Sequence, residues 1–236
     1  MNSTNPFALW RWEALFQNID NLGAGFFRTL QVAILALIVS LIVGMFVGIL
    51  STAQNWVPRS VARVYVEIFQ NIPLVIQIFF MYNGLAMAGI VLSEFTIGVV
   101  GVGLYHGAYV GEVVRAGILS MPKGQHEAAY SQGFNYAQTM RYIILPQMVK
   151  SILPPLTNQA VNLIKNTSVL AIIAGADLMY AADSYASSSL NYGPAYVLAG
   201  LLYFLLCFPL ATFSRKYEEK LKKNDAIVVD VPEVME

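Results

Sequence analysis

Five stretches of this 236-residue chain contain almost no Asp, Glu, Lys or Arg, and they constrain its fold more than any other feature. About 20 apolar residues in a helix cross the ~30 Å hydrocarbon core of a bilayer, and each stretch is long enough to do so. The sequence therefore predicts an all-α membrane protein with about five transmembrane helices. The predicted spans lie near residues 27–52, 62–85, 93–119, 149–175 and 194–216.

The composition supports a membrane protein and excludes several other classes. Only 12% of the residues are charged, 14 cations balance 14 acids, and the mean hydropathy is +0.58. These values argue against a disordered chain, a water-soluble globule and a nucleic-acid-binding protein. The single Cys207 excludes a disulfide framework and a Cys-based zinc site.

Catalytic and metal-binding signatures are absent from the sequence. The chain has no Gly-x-x-x-x-Gly-Lys-Ser/Thr loop for nucleotide phosphates and no His-Glu-x-x-His motif. We therefore expect no catalytic residue, metal site or cofactor in this chain.

The positions of Lys and Arg predict the orientation, because loops on the cytoplasmic side are enriched in both. Only Arg11 and Arg28 lie on the side of the N-terminus, and Lys165 lies within a predicted span. The asymmetry predicts an outside N-terminus and a cytoplasmic C-terminus. The cations on the other side are Arg59, Arg63, Arg115, Lys123, Arg141, Lys150, Arg215, Lys216, Lys220, Lys222 and Lys223.

Three regions are expected along the chain. Residues 1–26 combine Trp and Phe with polar residues, which favours a helix lying in the outer membrane interface over a short flexible leader. Residues 27–217 form the transmembrane domain. Residues 218–236 are charged and predict a frayed cytoplasmic tail without a core.

Glycines four residues apart predict close helix packing. Gly44 and Gly48 have this spacing in the first span, as do Gly103, Gly107 and Gly111 in the third. Such spacing lets two helix backbones approach closely in lipid. Packing within one subunit is favoured over an association between subunits.

Prolines within the spans predict bends. Pro73 lies in the second span and Pro154-Pro155 in the fourth, and each removes a backbone donor from its helix. Bent helices are typical of a transport pathway but also occur in purely structural bundles, and both interpretations stay open.

The segment 121–146 predicts two short helices on the cytoplasmic side. Lys123 to Gln132 contains good helix formers, and Gly133 suits a left-handed C-terminal stop. Asn135 followed by Gln138 is typical of a capping box that opens the second helix. The small Ala128 and Ala129 predict a low surface that a partner protein can approach closely.

This segment resembles the EAA loop of bacterial ABC importer permeases. The match consists of Glu127-Ala128-Ala129, Gly133, Ile143 and Leu145-Pro146 at the family's spacing. The resemblance implies a coupling helix at about 122–137 that docks into a separate ATPase subunit, and it implies that ATP and Mg²⁺ bind to that subunit. The implied coupling residues are Gln125, Glu127, Ala128, Ala129, Gly133, Leu145 and Pro146.

Other segments resemble the polar amino acid permeases within that group, so that the resemblance covers residues 25–217. Gln70-Asn71-Ile72-Pro73-Leu74-Val75-Ile76-Gln77 is similar to their Arg-Asn-Thr-Pro-Leu-Leu-Val-Gln stretch, with Gln70 in place of the Arg. Leu163-Ile-Lys165-Asn166-Thr167-Ser168 is similar to their Leu-x-Lys-Asn-Thr-Ser stretch. The glutamate/aspartate and glutamine permeases are the most similar.

Lys165 is the strongest candidate for substrate contact, because an ionisable residue within a span is costly unless it is paired or faces a cavity. It could bind a substrate carboxylate, pair with Asp177 or Glu112, or extend its ammonium to the membrane interface. The resemblance supports substrate contact by this stretch. The candidate substrate residues are Lys165, Asn166, Thr167, Ser168 and Gln77.

Glu112 and Arg115 lie three residues apart near the cytoplasmic end of the third span. This spacing predicts an ion pair, with a role in gating as the alternative. His106 lies in the same span, where a hydrogen-bonding or packing role is favoured over a role as a ligand.

The predicted function is that of the membrane-spanning subunit of an ATP-driven importer for a polar amino acid. Glutamate, aspartate or glutamine is favoured, because a buried lysine repels a cationic substrate. The expected partners are an ATPase dimer, a second permease subunit that is identical or related, an extracytoplasmic binding protein and the lipid of the bacterial inner membrane. The alternatives are an ion-gradient-driven secondary amino acid transporter and a non-transporting membrane scaffold.

Overall fold

The structure, a computed structural model, describes residues 5–229, with side chains up to Leu221, and these residues form a bundle of helices. A π-helical turn, Met140–Ile144, joins α7 to α8, and a 3-10 helix, Thr167–Ile173, follows α8. The helices are α1 Leu9–Phe16, α2 Ile19–Ser51, α3 Trp56–Asn71, α4 Leu74–Met87, α5 Glu94–Leu119, α6 Lys123–Ser131, α7 Tyr136–Thr139, α8 Leu145–Asn166, α9 Leu178–Ser189 and α10 Tyr192–Val229.

Length and hydropathy identify the membrane-spanning helices. Within the described residues, α2, α5 and α10 are each long and apolar enough to cross a bilayer alone. The α3–α4 pair, and the segment Tyr136–Ile173 together with α9, each meet the criteria when taken as one bent span. The structure thus has three to five candidate spans, and the predicted all-α membrane class is confirmed.

The bent spans break where the backbone cannot continue as a helix. The axes of α3 and α4 differ by 100° on the two sides of Ile72 and Pro73, which confirms the bend predicted there. Pro154 and Pro155, in contrast, lie inside the uninterrupted helix α8. Their span turns by 45° farther along, where Ala174 and Ala176 adopt left-handed backbone angles, each with φ of 56°.

Helices α2 and α5 pack through their glycines, as the spacing predicted. A Cβ atom on Gly44 would lie 2.9 Å from the carbonyl oxygen of Gly107. A Cβ atom on Gly48 would lie 2.5 Å from the Val114 side chain and 2.8 Å from the Gly111 carbonyl oxygen. Because only glycine fits at these positions, the two backbones approach within one subunit.

Hydrogen bonds connect the helix ends at each side of the bundle. Thr52, after α2, and Tyr136, at the start of α7, have hydroxyl oxygens 3.3 Å apart. On the opposite side, the Asn191 amide donates to the Arg11 carbonyl at 2.7 Å, and an Arg11 N–H donates to the Leu190 carbonyl at 3.0 Å. The segments predicted to be cytoplasmic therefore meet at one end, and the segments predicted to be outside meet at the other.

The terminal regions differ in extent from the sequence prediction. Helix α2 begins at Ile19, before the predicted span at 27, and α10 extends to Val229, beyond the predicted end at 216. The segment after Tyr217 was predicted to fray, but it is rich in Glu and Lys, which favour helix, and it continues α10. Residues 1–4 and 230–236 of the predicted terminal regions lie outside the described residues.

Candidate functional site

A polar cavity of about 410 Å³ lies between α5 and α8. The α5 side contributes aromatic rings with hydrogen-bonding groups, and the α8 side contributes amides and one cation. The lining residues are Tyr105, His106, Tyr109, Gln159, Asn162, Lys165 and Asn166. Among these described residues none is acidic, so the wall of the cavity combines neutral hydrogen-bonding groups with one positive charge.

Helical periodicity brings these side chains together. Tyr105 and Tyr109 lie four residues apart on one face of α5, and their hydroxyl oxygens are 3.1 Å apart. Gln159, Asn162 and Asn166 lie three and four residues apart on one face of α8. Each helix therefore presents a polar stripe to the other inside an otherwise apolar bundle.

His106 links the two helices. Its ring nitrogen Nε2 lies 3.1 Å from the Asn166 side-chain nitrogen, and the histidine is only 2% exposed. The favoured hydrogen-bonding role of His106 is therefore confirmed, and the bond fixes the position of one amide in the cavity wall.

Lys165 lies on the exposed surface between two cavities. It lines the polar cavity and also a second cavity of about 310 Å³ that it shares with Ser168 and Tyr203. Within the described residues it forms no ion pair with Asp177 or Glu112. The Asp177 carboxylate instead accepts from the Met179 backbone N–H at 3.0 Å and caps α9.

The remaining predicted substrate residues lie elsewhere. Thr167 is fully buried, and its hydroxyl donates to the Ile164 carbonyl at 2.7 Å. Ser168 donates to the Lys165 carbonyl at 2.7 Å and lines only the second cavity. The structure therefore separates Lys165 and Asn166, which line the polar cavity, from Thr167 and Ser168, which do not.

Gln77 does not line the polar cavity; its amide caps the bend between α3 and α4. It donates to the Phe69 carbonyl at 3.0 Å and to the Ile72 carbonyl at 2.8 Å. In an uninterrupted helix the N–H of residue 73 would bond to the Phe69 carbonyl, but Pro73 has no N–H. Gln77 therefore stabilises the bend between α3 and α4.

Gln159 and Asn162 line the cavity but were not predicted from the sequence. Both precede Asn166 at helical spacing, seven and four residues earlier. The sequence signal for Gln159 and Asn162 is the repetition of polar residues every three or four positions within a predicted apolar span.

The segment predicted to form two short helices has that structure. Helix α6 ends before Gly133, whose φ of 82° is left-handed, as predicted. The Asn135 side chain accepts from the Gln138 backbone N–H, and the Gln138 side chain accepts from the Asn135 N–H, both at 2.9 Å. The predicted capping box is therefore confirmed.

The exposed surface of α6 contains fewer small residues than expected. Glu127 and Ala128 are exposed, whereas Ala129 is only 4% exposed. Adjacent residues on a helix point about 100° apart, so one of the two alanines faces inward. The expectation that both alanines form an outer surface is wrong for Ala129.

The segment is connected to the bundle at several points. Gln147, in α8, donates to the Gln125 side chain of α6 at 3.2 Å. Buried Met140, Ile144 and Met148 form one apolar cluster with buried residues of α5. Leu145 and Pro146 begin α8, so the residues of the EAA pattern lead directly into the helix that lines the cavity.

The ion pair predicted between Glu112 and Arg115 is present. Arg115 donates to both carboxylate oxygens of Glu112, with a shortest distance of 2.8 Å. The pair is partly exposed on α5 and lies one turn beyond Tyr109 toward the end of the bundle that carries α6.

Apolar helices around a polar cavity, with a short helical pair at one end, define a permease subunit of a membrane transport system. The chain belongs to the family described as binding-protein-dependent transport system inner membrane component, which matches residues 40–223.

Relatives of the chain are themselves described as permeases. It is 41% identical to a probable glutamine ABC transporter permease protein of Bacillus subtilis, GlnM, over 89% of this chain and 97% of the relative. It is 31% identical to the glutamine transport system permease protein GlnP of Escherichia coli K12, over 89% and 97%. It is 33% identical to the arginine transport system permease protein ArtQ of Bacillus subtilis, over 91% and 98%.

Solved structures share the fold. The crystal structure of an amino acid ABC transporter with histidines matches with a TM-score of 0.80 at 31% identity, over 89% of this chain and 98% of that one. An inward-facing structure of the MetNI methionine ABC transporter matches with a TM-score of 0.69 at 18% identity, over 85% and 98%, which shows likeness of fold alone.

Proposed function

We propose that this chain is the permease subunit of a bacterial ATP-driven importer that carries a polar amino acid of the glutamine, glutamate or aspartate class into the cytoplasm. Two permease subunits, identical or related, form the pathway in the cytoplasmic membrane. A separate ATPase dimer supplies the energy, and an extracytoplasmic binding protein delivers the substrate. The N-terminus lies outside and the C-terminus in the cytoplasm.

The polar cavity between α5 and α8 is the observation that carries this proposal. An amino acid needs donors for its carboxylate and acceptors for its ammonium group. Lys165 and the side-chain N–H groups of Asn162 and Asn166 supply the donors, and amide and hydroxyl oxygens supply the acceptors. The cavity has no acidic residue among its described lining residues, so a cationic side chain has no counter-ion there.

The named relatives support an amino acid substrate. Two of the relatives are described as glutamine permeases and one as an arginine permease, so their names alone leave the substrate class open. The chemistry of the cavity favours the amide or acidic class. A side-chain amide or carboxylate can hydrogen-bond to the Lys165 ammonium, whereas a guanidinium is repelled by it.

The α6 segment is the proposed contact with the ATPase. Glu127 and Ala128 are exposed on α6, where a partner can reach them. Movement of α6 is transmitted to the cavity, because α8 leads without interruption from Leu145 to Asn166. Closing and opening of the ATPase would then alternate the cavity between an outward and an inward state with different affinities for substrate.

Reconstitution with the partner ATPase and binding protein tests the proposal. Uptake and ATP hydrolysis are measured in proteoliposomes against a panel of amide, acidic and cationic amino acids. We expect glutamine or an acidic amino acid to stimulate hydrolysis and to be taken up, and arginine to do neither. ATP-independent uptake driven by an ion gradient would contradict the proposal.

A matched pair of α8 variants tests the cavity itself. Asn162→Ala removes a lining amide and is expected to lower uptake at least about tenfold. Thr157→Ala is the control, because Thr157 does not line the cavity and, among the described residues, its hydroxyl donates only to the Leu153 carbonyl of its own helix, at 2.9 Å. Equal uptake by the two variants would exclude this cavity as the substrate site.

A further inference from the structure

A third cavity, of about 520 Å³, lies between α3 and α5. It is distinct from the polar cavity between α5 and α8, which is called the substrate cavity below. We call the third cavity the arginine groove. Three arginines and two glutamates line it, together with neutral side chains. The charged lining residues are Arg59, Arg63, Glu67, Glu112 and Arg115.

The charges of the arginine groove are only partly neutralised inside the chain. Arg115 is paired with Glu112, because its Nε donates to one carboxylate oxygen at 3.1 Å and a terminal guanidinium nitrogen donates to the other at 2.8 Å. Arg59 donates to the Gln54 carbonyl at 2.9 Å, and the Arg63 guanidinium makes no hydrogen bond or ion pair within the described part of the chain. A guanidinium has five donors, so both arginines retain capacity for an anion.

Glu67 supplies the opposite charge in the same groove. One of its carboxylate oxygens accepts from the Asn71 amide at 3.0 Å, and the residue is exposed. The carboxylate has acceptor sites left for a cation. The groove therefore offers free guanidinium donors and a carboxylate acceptor in one cavity.

The arginine groove follows the substrate cavity along α5. Tyr105 and Tyr109 line the substrate cavity, and Glu112 lines the groove. Spacings of four and three residues place these side chains on one face of the helix, and about 10 Å of helix separates the first from the last. The groove lies on the side that carries α6, which is predicted to be cytoplasmic.

We propose that the arginine groove is a second binding site for the transported amino acid on its way to the cytoplasm. Arg59 and Arg63 bind the α-carboxylate, and Glu67 binds the α-ammonium group. The two arginines attract the α-carboxylate and Glu67 attracts the α-ammonium group, whereas an anion without an ammonium group would leave the Glu67 carboxylate facing a like charge. The inference rests on the proposed function, because it concerns the same substrate.

Occupation of this site from the cytoplasm is expected to slow transport, since an amino acid held there opposes the release of the next one. The complete transporter, with ATPase and binding protein, is reconstituted in vesicles loaded with L-glutamine, and the initial uptake of labelled L-glutamine is measured. Internal L-glutamine should slow uptake, and internal L-glutaminamide, which lacks the carboxylate, should not.

The double variant Arg59→Gln/Arg63→Gln tests the residues. The internal glutamine concentration that halves uptake is expected to rise about tenfold, because the carboxylate loses charge-assisted hydrogen bonds. Arg215→Gln is the control, because it also replaces an exposed arginine with glutamine, on α10, where the guanidinium hydrogen-bonds only to Thr212 among the described residues. This control should keep the parent's response to internal glutamine.

Two results would overturn the second site. One is uptake by the parent that is insensitive to internal glutamine, and another is a double variant that responds as the parent does. If the parent is insensitive to internal glutamine and its uptake follows the anionic lipid content of the vesicle, the groove holds a lipid phosphate instead. Absent uptake into empty vesicles would instead overturn the proposed function, and this inference with it.

Discussion

The His106 ring nitrogen Nε2 and the Asn166 side-chain nitrogen lie 3.1 Å apart, and this contact joins the two helices that enclose the polar cavity. His106 is almost fully buried, whereas Asn166 is partly exposed at the cavity wall. The histidine borders the cavity with only a small exposed edge and holds the asparagine in place, so it is a positioning residue in the proposed transport function.

Replacing His106 with Leu is expected to weaken amino acid binding by about tenfold, because Asn166 loses the bond that orients it. Binding is measured by equilibrium titration of the purified permease–ATPase complex with labelled L-glutamine. His106→Gln, which retains a donor and an acceptor, should recover a large part of the affinity. Equal affinities for the parent and His106→Leu would exclude the positioning role.

Replacing Gln77 with Leu is expected to destabilise the bend between α3 and α4. The substitution leaves the Phe69 and Ile72 carbonyls without their side-chain donor, at a cost of about 1–3 kcal/mol. Thermal unfolding of the purified complex should show a lower midpoint. Asn83→Leu is the control, because the Asn83 amide makes one long exposed contact, 3.4 Å to the Phe79 carbonyl.

Replacing Gly44 with Ala is expected to lower stability by about 1–3 kcal/mol, because the added methyl group overpacks the contact with Gly107 and Val110. Gly23→Ala is a matched control in the same helix, since a Cβ atom there meets no heavy atom within 4 Å. The two variants are compared by thermal unfolding in detergent. A loss of equal size in both would show that helix propensity rather than close packing sets the effect.

Replacing Gly133 with Ala is expected to disturb the junction between α6 and α7. Its φ of 82° is unfavourable for a residue with a Cβ atom by about 1–2 kcal/mol. The ratio of transported amino acid to hydrolysed ATP should fall, since α6 loses its fixed position. Gly124→Ala makes the same change within α6, in open space and without a positive φ, and should leave this ratio unchanged.

Much of the fold was predictable because it follows from one-dimensional patterns. Apolar stretches without charge predict spans, and glycines four apart predict the close α2–α5 contact that the structure contains. Gly133, Asn135 and Gln138 predict the junction after α6, because each acts through its own backbone or that of a close neighbour.

The location of the main-chain breaks was less predictable. Pro154 and Pro155 remain inside α8, where the Ser214 hydroxyl donates to the Pro154 carbonyl at 3.1 Å. The span turns instead near Ala174 and Ala176, two residue types that give no local signal for left-handed backbone angles. Tertiary packing therefore decided where this span bends.

The candidate site was predicted only in part for a similar reason. Lys165 and Asn166 line the cavity, but Thr167 lies four and three residues after the buried Leu163 and Ile164. This helical spacing places Thr167 on the inward face, in the core. Gln77 was predicted as a substrate residue because it lies near Pro73. In the structure it instead donates to the Phe69 carbonyl and compensates for the missing proline N–H.

Helix α8 runs without interruption from Leu145 to Asn166, and its length determines how far a tilt at one end moves the other end. Its 22 residues form a rod of about 33 Å, so a tilt of about 10° at one end displaces the other by about 6 Å. That displacement exceeds the reach of a hydrogen bond. A small rotation at the α6 end is therefore enough to break and remake every polar contact of Asn166.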